Sequence, residues 1–312
     1  MVVEAVSREA YGKALAQMGA ENPNIVVLDA DLSKSTQTKF FAEKFPDRFF
    51  DCGIAEQNMM SIAGGLAATG KVVFVSTFAV FATCRCFDQL RMSIAQPGLN
   101  VKVVSTHGGV TVGEDGFSHH AIEDIALACS LPGFTVVVPA DATEAVQAVR
   151  VAAATNGPFY IRLGRVKAPL VYPEDYKFVT GQAIQMREGS DVTIIANGVM
   201  VWPSLKAAEV LAQQNVSCRV VSMPTVKPLD EAAVLKAAKD TGAIVTAEEH
   251  IEHGGLGSRV ALVVAQNNPV PMSFVAIKNT FTKSGKADQL LQKCGLTADD
   301  IVSAVKKVVS RK

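Results

Sequence analysis

Short β-branched and aromatic runs alternate with longer windows of helical periodicity along the whole chain, and this alternation restricts the fold more than any other feature. In the first half the runs fall at residues 24–28, 72–76, 101–105, 134–138 and 159–163. Between them, residues 6–18, 55–68, 86–94, 120–129 and 142–154 carry the Ala, Leu, Met and Gln content and the three-to-four spacing of helices. Neighbouring parallel strands need a crossover, and the helix that makes it covers one sheet face, so the pattern predicts a parallel sheet between helical layers. Functional groups in such sheets gather at the carboxyl ends of the strands.

The pattern breaks between residues 169 and 190, where Pro169, Tyr172-Pro173-Glu174-Asp175-Tyr176 and Arg187-Glu188-Gly189-Ser190 interrupt it. It then resumes with strand runs at 192–196, 217–221, 243–246 and 273–276 and helical windows at 202–213, 231–239, 257–266 and 298–309. A length of 312 residues suits two domains at roughly 150 residues each. The expectation is an α/β chain of two domains, 1–168 and 191–312, each a mostly parallel sheet covered by helices, with 169–190 as linker.

Charge excludes some functions. Thirty basic side chains balance thirty acidic ones, which removes the footprint of a protein that coats nucleic acid or an anionic membrane. The longest uncharged apolar stretch, 125–140, is short and contains Pro132 and Gly133, so no membrane span is expected. The N-terminal stretch mixes Glu4, Arg8, Glu9 and Lys13 into an amphipathic pattern unlike a signal peptide, which predicts a cytoplasmic protein. Six scattered cysteines without a CxxC pair read as reduced thiols.

Three local clusters are candidates for chemistry, and the first resists an explanation from packing alone. Residues 105–120, STHGGVTVGEDGFSHH, follow a strand directly and put four glycines beside two acids and three histidines. Glycine lets backbone approach a ligand closely, and imidazoles and carboxylates exchange protons or hold hydroxyl and phosphate groups. The alternative is a Gly-rich turn in which Asp115 and Ser118 cap the next helix, with His120 a solvent-facing helix residue. Adjacent histidines at a turn do not have the spacing of a zinc or iron site, so no metal ligands are assigned. In the second cluster Glu56 enters an otherwise apolar helix, where it either caps the first turn or is held for chemistry, since an unpaired buried charge is costly. In the third, Phe78 and Phe81 lie three apart just after a strand, as core packing or as a clamp for a flat ring.

Together these segments resemble the pyrimidine-binding and C-terminal domains of transketolase. The resemblance runs through GIAEQNM at 53–59, STFAVF at 76–81, THGGVTVGEDGFSHH at 106–120 and IRLGR at 161–165, in that order, and extends over essentially the whole chain. The family's GDG…N motif, which binds magnesium and the cofactor diphosphate, is not among them. The resemblance therefore implies thiamine diphosphate as cofactor, with Mg2+ and the diphosphate held mainly by a separate N-terminal subunit in an α2β2 heterotetramer.

By the same resemblance Glu56 takes the place of the glutamate that hydrogen-bonds the aminopyrimidine. Phe78 and Phe81 pack on that ring, Cys84 replaces a neighbouring tyrosine, and Asp31 lies near the thiazolium. His107 and His119 face the substrate and take part in proton transfer, Asp115 meets a substrate hydroxyl, and Arg165, Arg8 and Ser35 grip the sugar phosphate. The implied reaction moves a two-carbon ketol unit from a ketose phosphate to an aldose phosphate. Rival readings are a 1-deoxyxylulose-5-phosphate synthase-like protein, a 2-oxoacid dehydrogenase β-type subunit and a non-catalytic interaction subunit; by the resemblance His107 favours transketolase over the first and the GEDG run at 113–116 favours it over the second. In the second half, Gly254-Gly255-Leu256-Gly257 lacks both nucleotide-loop and dinucleotide spacing, which leaves a structural or interface turn.

Overall fold

The computed structural model describes residues 2–312. Seven strands form the first sheet in the order Thr225–Lys227, Thr135–Val137, Phe159–Arg162, Val101–Ser105, Val72–Ser76, Ile25–Asp29 and Phe49–Asp51. All pairings in it are parallel except that of Thr225–Lys227 with Thr135–Val137.

Side chains alternate across the strands and sort the core into two layers. Val26, Leu28, Val73 and Val75 point to one face, where they meet Met59, Met60 and Ala63 of helix Glu56–Ala68. Val27, Phe74 and Val104 point to the other, against Tyr11, Leu15 and Met18 of helix Ser7–Glu21 and Ala145, Ala148 and Val149 of helix Ala142–Ala154. Burial of side chains this large contributes about 1.5–3 kcal/mol each, which holds both layers on the sheet.

The second sheet runs Met272–Ile277, Ile244–Ile251, Val192–Ala196, Cys218–Ser222 and Ile184–Arg187, parallel except at the last pair. Helices Val201–Ala212 and Ala298–Val309 cover one face. Helices Glu231–Thr241 and Leu256–Asn267 cover the other. Ile184–Arg187 lies within the stretch expected to be linker, which also buries Tyr172 and Phe178. The backbone N–H groups of Val171 and Tyr172 both donate to Asp141 Oδ2.

The two halves interlock. Strand Thr225–Lys227, contributed by the second half, closes the edge of the first sheet, and Lys227 Nζ donates to the carbonyls of Cys129 and Leu131 at its side. A second tie runs through Arg162, which is 5 % exposed. It donates to Asp124 Oδ2 at 2.9 Å and to the carbonyls of Ala121 and Glu249 at 3.0 and 2.9 Å. The Tyr160 hydroxyl donates to the same Asp124 oxygen.

Two helices differ from expectation. Residues 86–94 do not form one α-helix: π-helical turns at Phe81–Arg85 and Leu90–Ala95 flank a single short α-turn, Phe87–Gln89. The helix expected from residue 120 begins at Asp124, and His120 is buried before it. His120 Nδ1 pairs with the Thr282 hydroxyl and its Nε2 with the Gly113 carbonyl, so it ties the glycine loop to the second half.

Candidate active site

Four neighbouring parallel strands end at one edge of the first sheet, and the segments leaving them carry most of the residues singled out in the sequence. Ile25–Asp29 leads to Asp31, Val72–Ser76 to Phe78 and Phe81, Val101–Ser105 to His107, and Phe159–Arg162 to Arg165. The segment after Val72–Ser76 is fixed beside the one after Val101–Ser105 by the Ala79 N–H, which donates to the Thr106 carbonyl at 2.8 Å.

Phe78 and Phe81 stack with ring centroids 5.8 Å apart and planes 16° from parallel. His107 lies against the Phe78 ring at 3.8 Å, and His119 meets Phe78 and Phe81 edge-on at 6.2 and 5.3 Å. The product is an aromatic wall bordered by two imidazoles. Of the pair, Phe78 is buried between His107 and Phe81, and Phe81 is half-exposed.

His107 is held in a left-handed backbone conformation, φ +59°, a strained arrangement for a residue with a side chain. Its Nδ1 shares a hydrogen bond with the Thr106 hydroxyl at 2.8 Å. Burial, reinforced by the charges of Arg8 and Arg165 and by His119, lowers its pKa to about 3. It is therefore a neutral imidazole at physiological pH. The glycines that follow are required by close approach: a Cβ on Gly108 would overlap the Arg162 guanidinium, and one on Gly109 the Glu249 carboxylate. That carboxylate accepts from the Thr111 N–H at 2.7 Å, so the loop rests on the second half of the chain.

Arg8 and Arg165 form the cationic side of the site. Burial and then the Arg165 charge pull Arg8 below the ordinary guanidinium value. Arg8 Nη1 donates to the Ser35 carbonyl at 2.6 Å, so the Ser35 backbone orients Arg8, while Arg8 Nε is buried without a partner. Arg165 Nη1 lies 3.5 Å from Asp115 Oδ2 and also donates to the Val112 carbonyl, which joins Arg165 to the loop carrying Asp115 and His119. His119 Nδ1 shares a hydrogen bond with the Ser118 hydroxyl at 3.0 Å.

Glu56 is the first residue of its helix and only 2 % exposed. It does not cap the helix with its side chain: both carboxylate oxygens accept from Arg85 Nη1, at 2.8 and 2.9 Å, and the Arg85 guanidinium carbon lies 4.2 Å from the Phe81 ring centroid. Arg85 was not among the residues expected from sequence. Its signal there is that it is the one charged side chain between Lys71 and Asp88. Cys84, by contrast, faces Glu123, whose carboxylate it approaches at 3.5 Å, and burial together with that charge pushes its thiol up to about 12.

Asp31 is exposed at the same edge, with φ +60° and its N–H on Asp51 Oδ1. The acid that builds this corner is Asp29, fully buried, which accepts from the Leu32 N–H and the Thr36 and Thr38 hydroxyls. Burial lifts its pKa to about 6 in spite of those donors. In the second half, Glu248 accepts from the Leu256 and Gly257 N–H groups at 2.7 and 2.8 Å. The chain's own carboxylate thus fills the amino end of helix Leu256–Asn267, in keeping with a structural turn there. Among the described residues no three His, Cys, Asp or Glu side chains converge as a metal site, all six cysteines are free, and no helix is long and apolar enough to cross a membrane.

A mostly parallel sheet whose carboxyl edge bears a buried acid, an aromatic wall, histidines and two arginines defines an α/β fold with its candidate site at that edge. Residues 4–169 match the transketolase pyrimidine-binding domain and residues 181–301 the transketolase C-terminal domain, so the chain belongs to the transketolase family. It is 44% identical over 301 residues to a putative transketolase C-terminal section from Methanocaldococcus jannaschii, covering 96% of this chain and 94% of that protein. It is 43% identical over 305 residues to a 6-deoxy-6-sulfo-D-fructose transketolase subunit from a Clostridium species, covering 98% and 95%. Human transketolase is 39% identical over 309 residues, which span 98% of this chain and 49% of the human protein. A solved structure described as a split gene transketolase, inactive beta4 tetramer, superposes with a TM-score of 0.90 at 50% identity over 98% of both chains.

Proposed function

We propose that this chain is the C-terminal subunit of a two-subunit, thiamine diphosphate-dependent transketolase that moves a two-carbon ketol unit between sugar phosphates. One observation carries the reading: the buried carboxylate of Glu56 lies at the end of the Phe78–Phe81 wall, with His107 and His119 on the wall and Arg8 and Arg165 beyond them. The length match supports a partner, since this chain aligns along most of a protein described as a C-terminal section but along about half of the human transketolase.

The residues present fit the ring end of the coenzyme. Phe78 and Phe81 offer a flat apolar face, and Glu56 a carboxylate shielded from water, where a hydrogen bond to a ring nitrogen is worth more than at the surface. When bound, thiamine diphosphate supplies the carbon nucleophile that accepts and passes on the two-carbon unit. The N-terminal subunit holds the diphosphate and Mg2+, and the active site is shared across an α2β2 heterotetramer. Glu56 exchanges a proton with the ring nitrogen. His107, neutral at physiological pH, accepts or donates a hydrogen bond to substrate oxygen without adding charge. His119 takes the second proton-transfer position, Asp115 receives a sugar hydroxyl, and Asp31 borders the thiazolium side.

Arg165 and Arg8, with Ser35 behind Arg8, take the substrate's anionic end, which suits the multiple oxygens of a phosphate. A sulfonate presents similar oxygens, and the likeness to the sulfofructose transketolase subunit makes it the second substrate class to test.

The test is reconstitution. This chain is co-purified with a candidate N-terminal transketolase subunit and assayed for ketol transfer from xylulose 5-phosphate, and from 6-deoxy-6-sulfo-D-fructose, with thiamine diphosphate and Mg2+. Activity is expected in the pair and in neither subunit alone; transfer by this chain alone refutes the shared site. Glu56→Ala in the reconstituted pair is expected to abolish transfer while assembly, followed by gel filtration, survives. Undiminished turnover would remove Glu56 from the chemistry and favour a non-catalytic role.

A further inference from the structure

We infer that Arg85 is a placeholder for the coenzyme's pyrimidine ring: in the free subunit its guanidinium stacks on Phe81 and satisfies Glu56, and it must withdraw for the ring to bind. The inference rests on the proposed function and adds to it a residue that sets how readily the coenzyme enters.

The geometry makes the two occupants exclusive. Arg85 ends the π-helical turn that Phe81 begins, and its planar cation lies 4.2 Å from the Phe81 ring centroid. One nitrogen of that plane donates to both oxygens of Glu56, at 2.8 and 2.9 Å. An aminopyrimidine makes the same two demands, a π-face against the aromatic wall and a hydrogen bond to the carboxylate. Glu56 is 2 % exposed, and a carboxylate so buried needs a partner in any state the subunit occupies. Arg85 supplies one without being locked in place: its side chain is 43% exposed, and among the described residues its other guanidinium nitrogens donate to no protein atom. A π-turn inserted in helical backbone is a common local device where a side chain must be re-aimed at a functional site. Arg85 can therefore swing toward solvent when another flat donor arrives, and the lost ion pair is subtracted from the affinity of that newcomer.

The test uses Arg85→Ala, with Arg85→Gln as a second variant should the first fold poorly, each in the full chain. Thiamine diphosphate is titrated into the reconstituted two-subunit complex with saturating Mg2+ by isothermal calorimetry, so that the readout is binding and not turnover. Removal of the competitor is expected to tighten binding about tenfold, a change of about 1.4 kcal/mol. Urea unfolding of the free subunit supplies a reading independent of the coenzyme: Arg85→Ala is expected to lower its denaturation midpoint, because Glu56 loses its cation. Unchanged or weaker coenzyme binding in the variants overturns the placeholder, as does an unchanged midpoint in the free subunit. If wild-type complex forms and binds no thiamine diphosphate, the proposed function itself fails, and that result is separate from any difference among the variants.

Discussion

Acid should destabilise this protein through His107, by an amount set by how far its pKa is depressed. The folded value of about 3 lies below the ordinary 6.5 because burial, and then the charges of Arg8 and Arg165, disfavour the imidazolium. The unfolded chain takes up a proton as pH falls through about 6.5, whereas the native state refuses it until about 3, so the contribution is complete above about 6.5 and lost progressively toward about 3. At about pH 5 the loss is on the order of 2 kcal/mol, rising to about 4–5 kcal/mol at the acid end of the window.

Other groups oppose this trend. Glu144, which burial raises to about 7, and Asp29, raised to about 6, bind protons more readily when folded and so favour the native state as pH falls. The measurement is therefore a difference. Urea unfolding of wild type and His107→Asn is compared at pH values of about 7 and 5, asparagine being chosen because it tolerates the left-handed backbone at this position. Wild type should lose about 2 kcal/mol more than the variant between the two. Equal losses, or an imidazole resonance titrating near 6.5 in the folded protein, would refute the claim that this ring is held neutral.

Two further outcomes follow from other contacts. Arg165→Ala removes a guanidinium from the cationic side of the site, and in the reconstituted enzyme it should raise KM for phosphorylated substrates by about ten- to a hundredfold, with a smaller effect on kcat; a fall confined to kcat would place Arg165 elsewhere in the reaction. Arg162→Met strands the buried carboxylates of Asp124 and Glu249 and should cost about 3–5 kcal/mol in urea unfolding, and a loss below about 1 kcal/mol would show that the two halves are held together by other means.

The central strands were legible because each is bounded by turn residues and alternates between two apolar layers, as Val73, Phe74 and Val75 do. Thr225–Lys227 was not, because three residues between Pro224 and Pro228 carry no periodicity and their pairing is with a strand distant in sequence. Ile184–Arg187, an edge strand carrying Gln185 and Arg187, has a half-polar composition close to that of the loop around it. Across residues 86–94 the three-to-four spacing pointed to helix but did not fix the number of residues per turn. In the site, the glycine loop and the acid entering an apolar helix stood out by residue type. Arg85 did not, since an arginine just before a helical window looks like a solvated side chain until its partner in space is known. The same holds for the tie between Arg162 and Glu249, which are 87 positions apart.

The strand that crosses from the second half to complete the first sheet limits how this protein can be dissected. Cut away residues 181 onward, and Thr135–Val137 becomes an open margin of unsatisfied backbone donors and acceptors beside a parallel core, the kind of surface on which copies aggregate. The two family-model segments are thus not independent units: expressing residues 1–180 by themselves should give inclusion bodies, and any engineered hybrid must import residues 225–227 along with the sheet they seal.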